Sequence, residues 1–415
     1  MIQAVKGTKD ILPTNVQMWQ FLEEKFREIT KRYCYNEMRT PIFEKTEVFS
    51  RTVGDESDIV NKEMYTFIDK GGESITLRPE QTAAIARGII QNNLLQDNNV
   101  LKVWYFGSYF RYERPQKGRL REFHQFGTEC IGSPSPEADA ENIMLGCSLV
   151  KEIGINNYKL LINSIGNEND RNVYKEKLVT YLSSNKLDLS FESAQRLEKN
   201  PLRILDSKDP KDIELLVNAP NILDCLEDSS MKHFDKVLEY LKSENINYEI
   251  NQKLVRGLDY YSDTVYEFQS NELGAQNSFG GGGRYNTLFS QLGGKSVPAV
   301  GFAMGVERLL IILEAINQNL ANSPVPDFYL IVSDAEYKNY AFKISEILRN
   351  NNYSVFVDLT GKSFKSQFKD ANKQEAANSI IIGEDEFKQQ KVSIKNMKTG
   401  EQVSLDFNKL SEFTL

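Results

Sequence analysis

Phe110-Arg111-Tyr112-Glu113-Arg114-Pro115 separates two strand-like runs, residues 100–106 and 123–131. Runs of this length, rich in aromatic and β-branched residues, predict strands. Together they predict a long antiparallel hairpin with a charged loop, 111–122, at its tip. That loop carries Arg111, Arg114, Lys117, Arg119 and Arg121 against Glu113 and Glu122. A related segment, Gly305-Val306-Glu307-Arg308, follows a strand expected at 300–304 and opens a helix expected over 307–317. Each segment sets an arginine beside a glutamate where a strand meets a turn or helix. The guanidinium fork suits phosphate oxygens. No G-x-x-x-x-G-K-[ST] sequence occurs, so P-loop nucleotide chemistry is not supported. The two segments point instead to a triphosphate site built on arginines. Taken singly, either also fits a surface salt bridge, which is common and weak.

Upstream of the hairpin, Trp19, Leu22, Phe26, Ile29 and Tyr33 recur at helical spacing within 14–36. A strand-like run, Met38-Arg39-Thr40-Pro41-Ile42-Phe43, follows it. This long-helix-then-strand arrangement resembles a known dimerisation motif, and read without that resemblance fits as well an amphipathic helix packed on its own core. Strands are expected at 64–69 and 74–77, and a helix from Pro79-Glu80-Gln81-Thr82. Residues 168–245 are charged, helical in pattern and free of any constellation that suggests chemistry; they read as an insertion between two halves of a sheet. Strand signals return at 248–254 and 264–269. Phe279-Gly280-Gly281-Gly282-Gly283-Arg284-Tyr285 reads as a sharp bend, where glycine lets a ligand approach the backbone or simply makes a flexible turn. Asn322-Ser323-Pro324-Val325-Pro326 reads as a linker. Beyond it, strands at 328–332, 354–357 and 379–382 alternate with two helical stretches, and 392–396 and 402–407 form a hairpin. That alternation predicts a small α/β domain.

The chain has 415 residues, 40% hydrophobic and 26% charged, which fits a globular protein of two or three domains. No apolar run approaches the roughly 20 residues that span a bilayer. The amino-terminal residues lack the apolar stretch of a signal peptide. Cys34, Cys130, Cys147 and Cys225 are scattered without a C-x-x-C pair, and only His124 and His233 accompany them. A structural zinc site is therefore disfavoured, and reduced thiols in a cytoplasmic setting are expected. The net charge of −8 argues against a general nucleic-acid coat. RNA contact would rest on local patches, namely the 111–122 tip and the row Lys362, Lys365, Lys369 and Lys373. Those lysines fall three or four apart, on one face if helical, which fits a solvated helix face as well.

Two further segments tie these observations together. They are Thr76-Leu77-Arg78-Pro79-Glu80-Gln81-Thr82 and Leu254-Val255-Arg256-Gly257-Leu258-Asp259-Tyr260-Tyr261. With them the chain resembles the histidyl-tRNA synthetases, class II aminoacyl-tRNA synthetases of bacterial type. The likeness runs from Val5-Lys6-Gly7-Thr8-Lys9-Asp10 to the final strands. It implies an α+β fold: an antiparallel-sheet catalytic domain over 1–323 with the 168–245 insertion, then an α/β anticodon-binding domain over 324–415. It also implies a homodimer, with ATP, L-histidine and histidine tRNA as partners, and magnesium carried by ATP and pyrophosphate rather than by a protein metal site.

Roles follow from the same resemblance. Arg111 corresponds to the α-phosphate contact, Arg308 to the γ-phosphate contact, and Glu113 to the residue near the adenine amino group. Arg256 matches an arginine set against the α-phosphate and the histidine carboxylate, in place of a metal ion. Read alone, it could as well be a strand arginine paired with Asp259 or a nearby carboxylate. Glu129 and Tyr260 are expected to face the imidazole. Glu80, Thr82 and Gln125 are expected around the α-amino group, with Tyr261 close by. The tip residues Gln116, Arg119 and Arg121 are expected to meet the tRNA acceptor end, where the bacterial form reads an extra 5′ guanine; Arg119 is alternatively an ATP contact. Strand alternation turns His124 away from Gln125 and marks it as structural. Asn286, Gln81 and Thr128 depart from the usual aspartate, glycine and cysteine, and none is a phosphate contact. Two other readings compete. One is a synthetase-like regulatory subunit of histidine biosynthesis, disfavoured by the retained arginines and by the segment beyond the linker. The other is a noncatalytic RNA-binding module, which gives Glu80 and Glu129 nothing to do.

Overall fold

The structure is a computed structural model that describes residues 1–52, 59–96, 100–274, 276–316, 325–412 and 414. Helix α1 (Val16–Arg32) leads into β1 (Asn36–Glu37), β2 (Phe43–Lys45), the one-turn α2 (Glu47–Ser50), β3 (Tyr65–Ile68), β4 (Ser74–Leu77) and α3 (Thr82–Gln91). The hairpin is β5 (Leu101–Phe110) and β6 (Glu122–Ile131), followed by α4 (Pro136–Glu152) and β7 (Lys159–Ser164). The insertion holds α5 (Glu168–Ser184), α6 (Phe191–Lys199), a 3-10 stretch at Pro201–Asp206, α7 (Pro210–Leu215) and α8 (Asp228–Ser243). Then come β8 (Glu249–Ile250), β9 (Ser262–Gln269), β10 (Ser278–Tyr285), α9 (Leu288–Gln291), β11 (Ala299–Gly305) and α10 (Val306–Ala315).

The described strands of this part form an eight-stranded sheet in the order β1-β5-β6-β11-β10-β9-β7-β8, and a small sheet β2-β4-β3. The large sheet is antiparallel except at its edges, where β1 pairs parallel with β5 and β8 with β7. Even-numbered side chains such as Trp104, Phe126, Tyr266 and Phe302 face one core, against Leu22, Phe26 and Ile29 of α1 and the inner faces of α4, α8 and α10. Phe26 stacks on Phe126 at 4.2 Å between ring centroids. Removing such a buried ring costs about 3–5 kcal/mol. Odd-numbered side chains such as Tyr105, Val265 and Tyr285 face the other side, with α3 and α5. The period of two therefore decides which residues can line a site on that side.

Three expectations are corrected. The run 279–285 is not a bend but β10, paired on both sides by β9 and β11. Its glycines answer crowding: a Cβ at Gly282 would sit 2.0 Å from the Gly301 carbonyl oxygen. Of the run 38–43, only Phe43 is strand, as the first residue of β2. Pro41 has no N–H for a ladder, and the pairing with β5 occurs earlier, at Asn36 and Glu37. Of 248–254, only Glu249–Ile250 is strand, because Asn251 starts a turn in which its side chain accepts from Lys253 N at 3.0 Å. The insertion lies between β7 and β8, as expected, and packs on both cores of the sheet. Phe234, Val237 and Leu241 of α8 belong to the even-side core, and Tyr174, Leu178 and Leu182 of α5 to the odd-side core.

The chain divides into two units, Met1–Ala321 and Asn322–Leu415. The expected boundary at 323/324 and the end of the 307–317 helix lie outside the described residues. The second unit contains β12 (Phe328–Val332), α11 (Lys338–Asn350), β13 (Val355–Val357), α12 (Phe364–Lys373), β14 (Asn378–Ile382), α13 (Glu384–Gln389), β15 (Lys391–Asn396) and β16 (Gln402–Asp406). Its sheet runs β13-β12-β14-β15-β16, with β12 parallel to both neighbours as βαβ connections require. Gln367 is buried and clasps Val332, accepting from its N–H at 2.8 Å and donating to its carbonyl at 3.0 Å. Lys365, Lys369 and Lys373 are exposed on α12. Lys362 departs from that row: it precedes the helix and pairs with Asp370 at 2.7 Å.

Candidate active site

A cavity of about 580 Å³ opens on the odd-numbered side of the large sheet. Its floor is glycine where neighbours need the room. A Cβ at Gly301 would stand 1.7 Å from Glu129 Oε2, and one at Gly281 would stand 2.7 Å from Arg256 Nη1. Of the residues expected at the site, Glu80, Thr82, Arg111, Glu113, Arg119, Gln125, Glu129, Arg256, Tyr260, Tyr261 and Arg308 all line this one cavity. They come from strands, loops and helix starts almost 230 residues apart in sequence.

One part of the lining is carboxylate and phenol. Glu129 accepts from Tyr285 OH at 2.6 Å, Thr82 Oγ1 at 2.8 Å and Tyr105 OH at 3.2 Å. Burial pushes its carboxyl up to about 8, the Tyr285 and Thr82 hydroxyls pull it back, and neighbouring Glu80 pushes the same way as burial. Glu80 sits just before α3 and accepts from Thr82 N at 2.6 Å and Ala83 N at 2.9 Å, which satisfies two free donors of the first turn. Burial raises its carboxyl as well, against those two N–H groups. Tyr260 packs on Tyr261 and Tyr285, with centroids 4.7 and 5.5 Å away. Two buried carboxylates side by side, with hydroxyls around them, suit a ligand bearing a cation or ring N–H groups.

The other part is cationic. Arg111 donates from Nε to Pro79 O at 2.9 Å and lies over the Phe123 ring at 5.2 Å. Arg308 donates from Nε to Gly118 O at 3.0 Å and from Nη1 to Ser278 O. Arg119 pairs with Glu113 at 3.1 Å and donates to Gln276 Oε1 at 3.0 Å. Arg256 pairs with Glu267 at 2.6 Å, while its buried Nε meets no hydrogen-bond partner. Burial and the like charges of Arg119 and Arg111 pull the Arg308 pKa down, with Glu113 opposing. Crowded, half-desolvated guanidinium groups of this kind favour a polyanion.

The local salt-bridge reading of the two opening segments does not hold. Glu307 serves His124, accepting from its backbone N at 3.0 Å and lying 2.9 Å from ring Nδ1. His124 Nε2 lies 3.1 Å from Ser108 Oγ, so the imidazole is structural. Arg256 pairs with Glu267 and not with Asp259. Gln116 and Arg121 are not among the cavity's lining residues. Gln116 is exposed at a tight tip closed by backbone bonds to Arg119 of 3.0 and 2.9 Å. The Arg121 guanidinium lies 3.9 Å above the Tyr112 ring. The departing residues are each bonded: Gln81 to Thr40 and Tyr109, Thr128 to Asn142, and Asn286 to Asp263.

Sequence reasoning missed Tyr105, Tyr285 and Glu267, whose odd numbers within strands carry the signal once Glu129 is placed. It also missed the insertion, whose Leu205, Asp206, Ser207, Lys208 and Ile213 line the cavity. No local pattern marks those five.

The sequence profile of histidyl-tRNA synthetase matches residues 7–309, and that of the anticodon binding domain matches 327–415. A histidine–tRNA ligase of Microcystis aeruginosa is 48% identical over 404 residues, covering 97% of this chain and 94% of the relative. One from Halothermothrix orenii is 45% identical over 411 residues, covering 99% and 98%. The crystal structure of apo histidyl-tRNA synthetase from S. aureus aligns with a TM-score of 0.84 at 35% identity, covering 99% of both chains. An ATP phosphoribosyltransferase regulatory subunit/histidyl-tRNA synthetase from Bacillus halodurans aligns at 0.66 and 24% identity over 92% of this chain, a likeness of fold alone. The chain belongs to the histidyl-tRNA synthetase family.

Proposed function

We propose that the cavity carries out both half-reactions of a histidine–tRNA ligase, with its two parts dividing the labour. In the first step a histidine carboxylate oxygen attacks the α-phosphorus of ATP, the bond from that phosphorus to the oxygen bridging the β-phosphate breaks, and pyrophosphate leaves with that oxygen and its electron pair. In the second, a terminal ribose hydroxyl of the tRNA attacks the activated carbonyl and AMP leaves. Both partners in the first step are anions, so positioning and fixed positive charge supply most of the acceleration.

The observation that carries this reading is Arg256: a buried guanidinium with a free Nε over a glycine floor, in the same cavity as the Glu80–Glu129 pair. In this reading Arg256 draws the histidine carboxylate and the α-phosphate together. Arg111 shares the α-phosphate, Arg308 and Arg119 hold the outer phosphates, and Glu113 faces adenine. Glu129 and Tyr260 address the imidazole; Glu80, Thr82, Gln125 and Tyr261 surround the α-amino group. A buried polar pocket rejects amino acids that leave its groups unpaired, which shape alone does poorly. Magnesium arrives with ATP and leaves with pyrophosphate, as part of the substrate.

Gln116, Arg119 and Arg121 lie on the tip expected to meet the acceptor end. The lysines of α12 supply sequence-independent phosphate contact. A homodimer is supported by Ile42, Phe43, Phe67 and Ile68, which remain 48–66% exposed on and beside the small sheet. No described helix is long and apolar enough to cross a membrane, and the reduced cysteines fit the cytoplasm. The test is ATP–pyrophosphate exchange with each standard amino acid. Exchange with histidine alone is expected. Histidine binding without exchange would favour a regulatory, noncatalytic protein instead.

A further inference from the structure

The loop that carries Arg256, Tyr260 and Tyr261 runs between β8 and β9 without a ladder of its own. Side chains from outside hold its carbonyls and its Asp259 carboxylate. Asn163 of β7 donates to Leu254 O at 3.1 Å. The remaining holds come from the insertion. Arg203 donates from Nη2 to Gly257 O, and the same nitrogen lies 3.8 Å from Asp259 Oδ1. Asn200 Nδ2 donates to that oxygen at 3.4 Å. Arg171 donates to Tyr261 O. Arg203 lies so close that a Cβ at Gly257 would stand 3.4 Å from its Nη1. Its side chain is only 22% exposed. The insertion thus grips the residue directly after Arg256, while Glu267 grips the Arg256 head at 2.6 Å.

We propose that Arg203 is a positioning residue for Arg256, so that the helical insertion helps set the rate of histidine activation, before any tRNA arrives. This rests on the role given above to Arg256. A backbone carbonyl held by a charged donor gains a stronger bond than a neutral one provides. The loop needs that bond because no strand partner restrains residues 255–260. Misplacing a charge-stabilising group by an ångström lowers rate far more than it lowers stability.

The test is a double-mutant cycle in tRNA-free ATP–pyrophosphate exchange, using the full chain and checking folding by thermal unfolding. Arg203→Ala is expected to slow exchange about tenfold or more, and Arg203→Lys, which keeps one donor, by less. In an Arg256→Ala background, Arg203→Ala is expected to add under about twofold, because the group it positions is gone. With Arg308→Ala, which contacts neither residue, the two effects are expected to multiply. Lys186→Ala, which breaks the exposed 3.3 Å pair with Glu198 on the insertion, is expected to leave exchange unchanged. If Arg203→Ala does not fold, Arg203→Lys carries the same cycle. An Arg203 variant that is folded and works at the parental rate, or one whose effect multiplies with that of Arg256→Ala, overturns the proposal. An Arg256→Ala enzyme at the parental rate removes the role of Arg256 itself, and is recognised in that single variant before Arg203 is considered.

Discussion

Within one cavity, Glu129 is fully served by the protein, with three hydroxyls donating to it, whereas Arg256 keeps a buried nitrogen without a partner. Charges in the first part are held by hydroxyls and backbone N–H groups and are shifted towards neutrality by burial. Charges in the second are arginines pressed together and partly unneutralised. In the first arrangement burial opposes the charged form, while the hydroxyls and backbone N–H groups offset part of that cost. In the second, Arg308 is disfavoured as a cation by burial and by Arg119 and Arg111 beside it, a cost that an entering anion would relieve. On the proposed function, the first part selects the ligand and the second accelerates its reaction, which leads to four expectations.

The largest effect is expected at Arg256. Arg256→Ala should slow pyrophosphate exchange by about a hundredfold or more, as loss of a preorganised charge does. Near-parental exchange would mean that the cationic part does not drive the chemistry. Next, Glu129→Gln should raise the histidine KM by about tenfold or more with little change for ATP, and Arg308→Ala should do the reverse. Equal effects of both variants on both substrates would erase the distinction between the two parts. A smaller and more selective effect is expected at the tip. Gln116→Ala should lower the preference for tRNA transcripts with the extra 5′ guanine by several-fold, about the worth of one base contact. It should leave exchange alone, because Gln116 lies outside the cavity; an unchanged preference ratio would show that Gln116 does not read that base.

The fourth expectation concerns a different observable, stability against pH. The Glu129 carboxyl is raised from the ordinary 4.5 to about 8 in the folded protein. Between those values the native state binds more protons than the unfolded state, so stability falls as pH rises, by at most about 1.4 kcal/mol per pH unit from this group. Below pH 4.5 the contribution is fully present, and above about 8 it is lost. Glu129→Gln should flatten the decline of Tm between pH 5 and pH 8, measured without ligands. An identical slope in both proteins would mean that the carboxyl is ionised throughout.

Much of this architecture was legible locally. The β5–β6 hairpin shows as two apolar runs around a charged tip, and α1 as a 3.6-residue repeat. What misled were segments whose reason is non-local. The glycines of β10 read as a bend because glycine has no strand preference. Only the neighbouring strand, with Gly301 opposite Gly283 and Glu129 opposite Gly301, explains why no side chain fits. The insertion read as chemically silent because Arg203 and Arg171 bond carbonyls, and Asn200 the Asp259 carboxylate, of a loop more than fifty residues away.

By itself, the sequence determined most of the elements, the division into a sheet-based part and an α/β part, and the kinds of charge available for chemistry. These follow from periodicity and side-chain type, which act over a few residues. Tertiary structure decided who pairs with whom. Glu113 takes Arg119, Glu307 takes His124, and Arg256 takes Glu267, so the arginines of the two opening segments remain available to a ligand rather than to the glutamates beside them. The physical reason is the pleat: residues adjacent in a strand point to opposite sides, while residues a hundred positions apart meet on the same one.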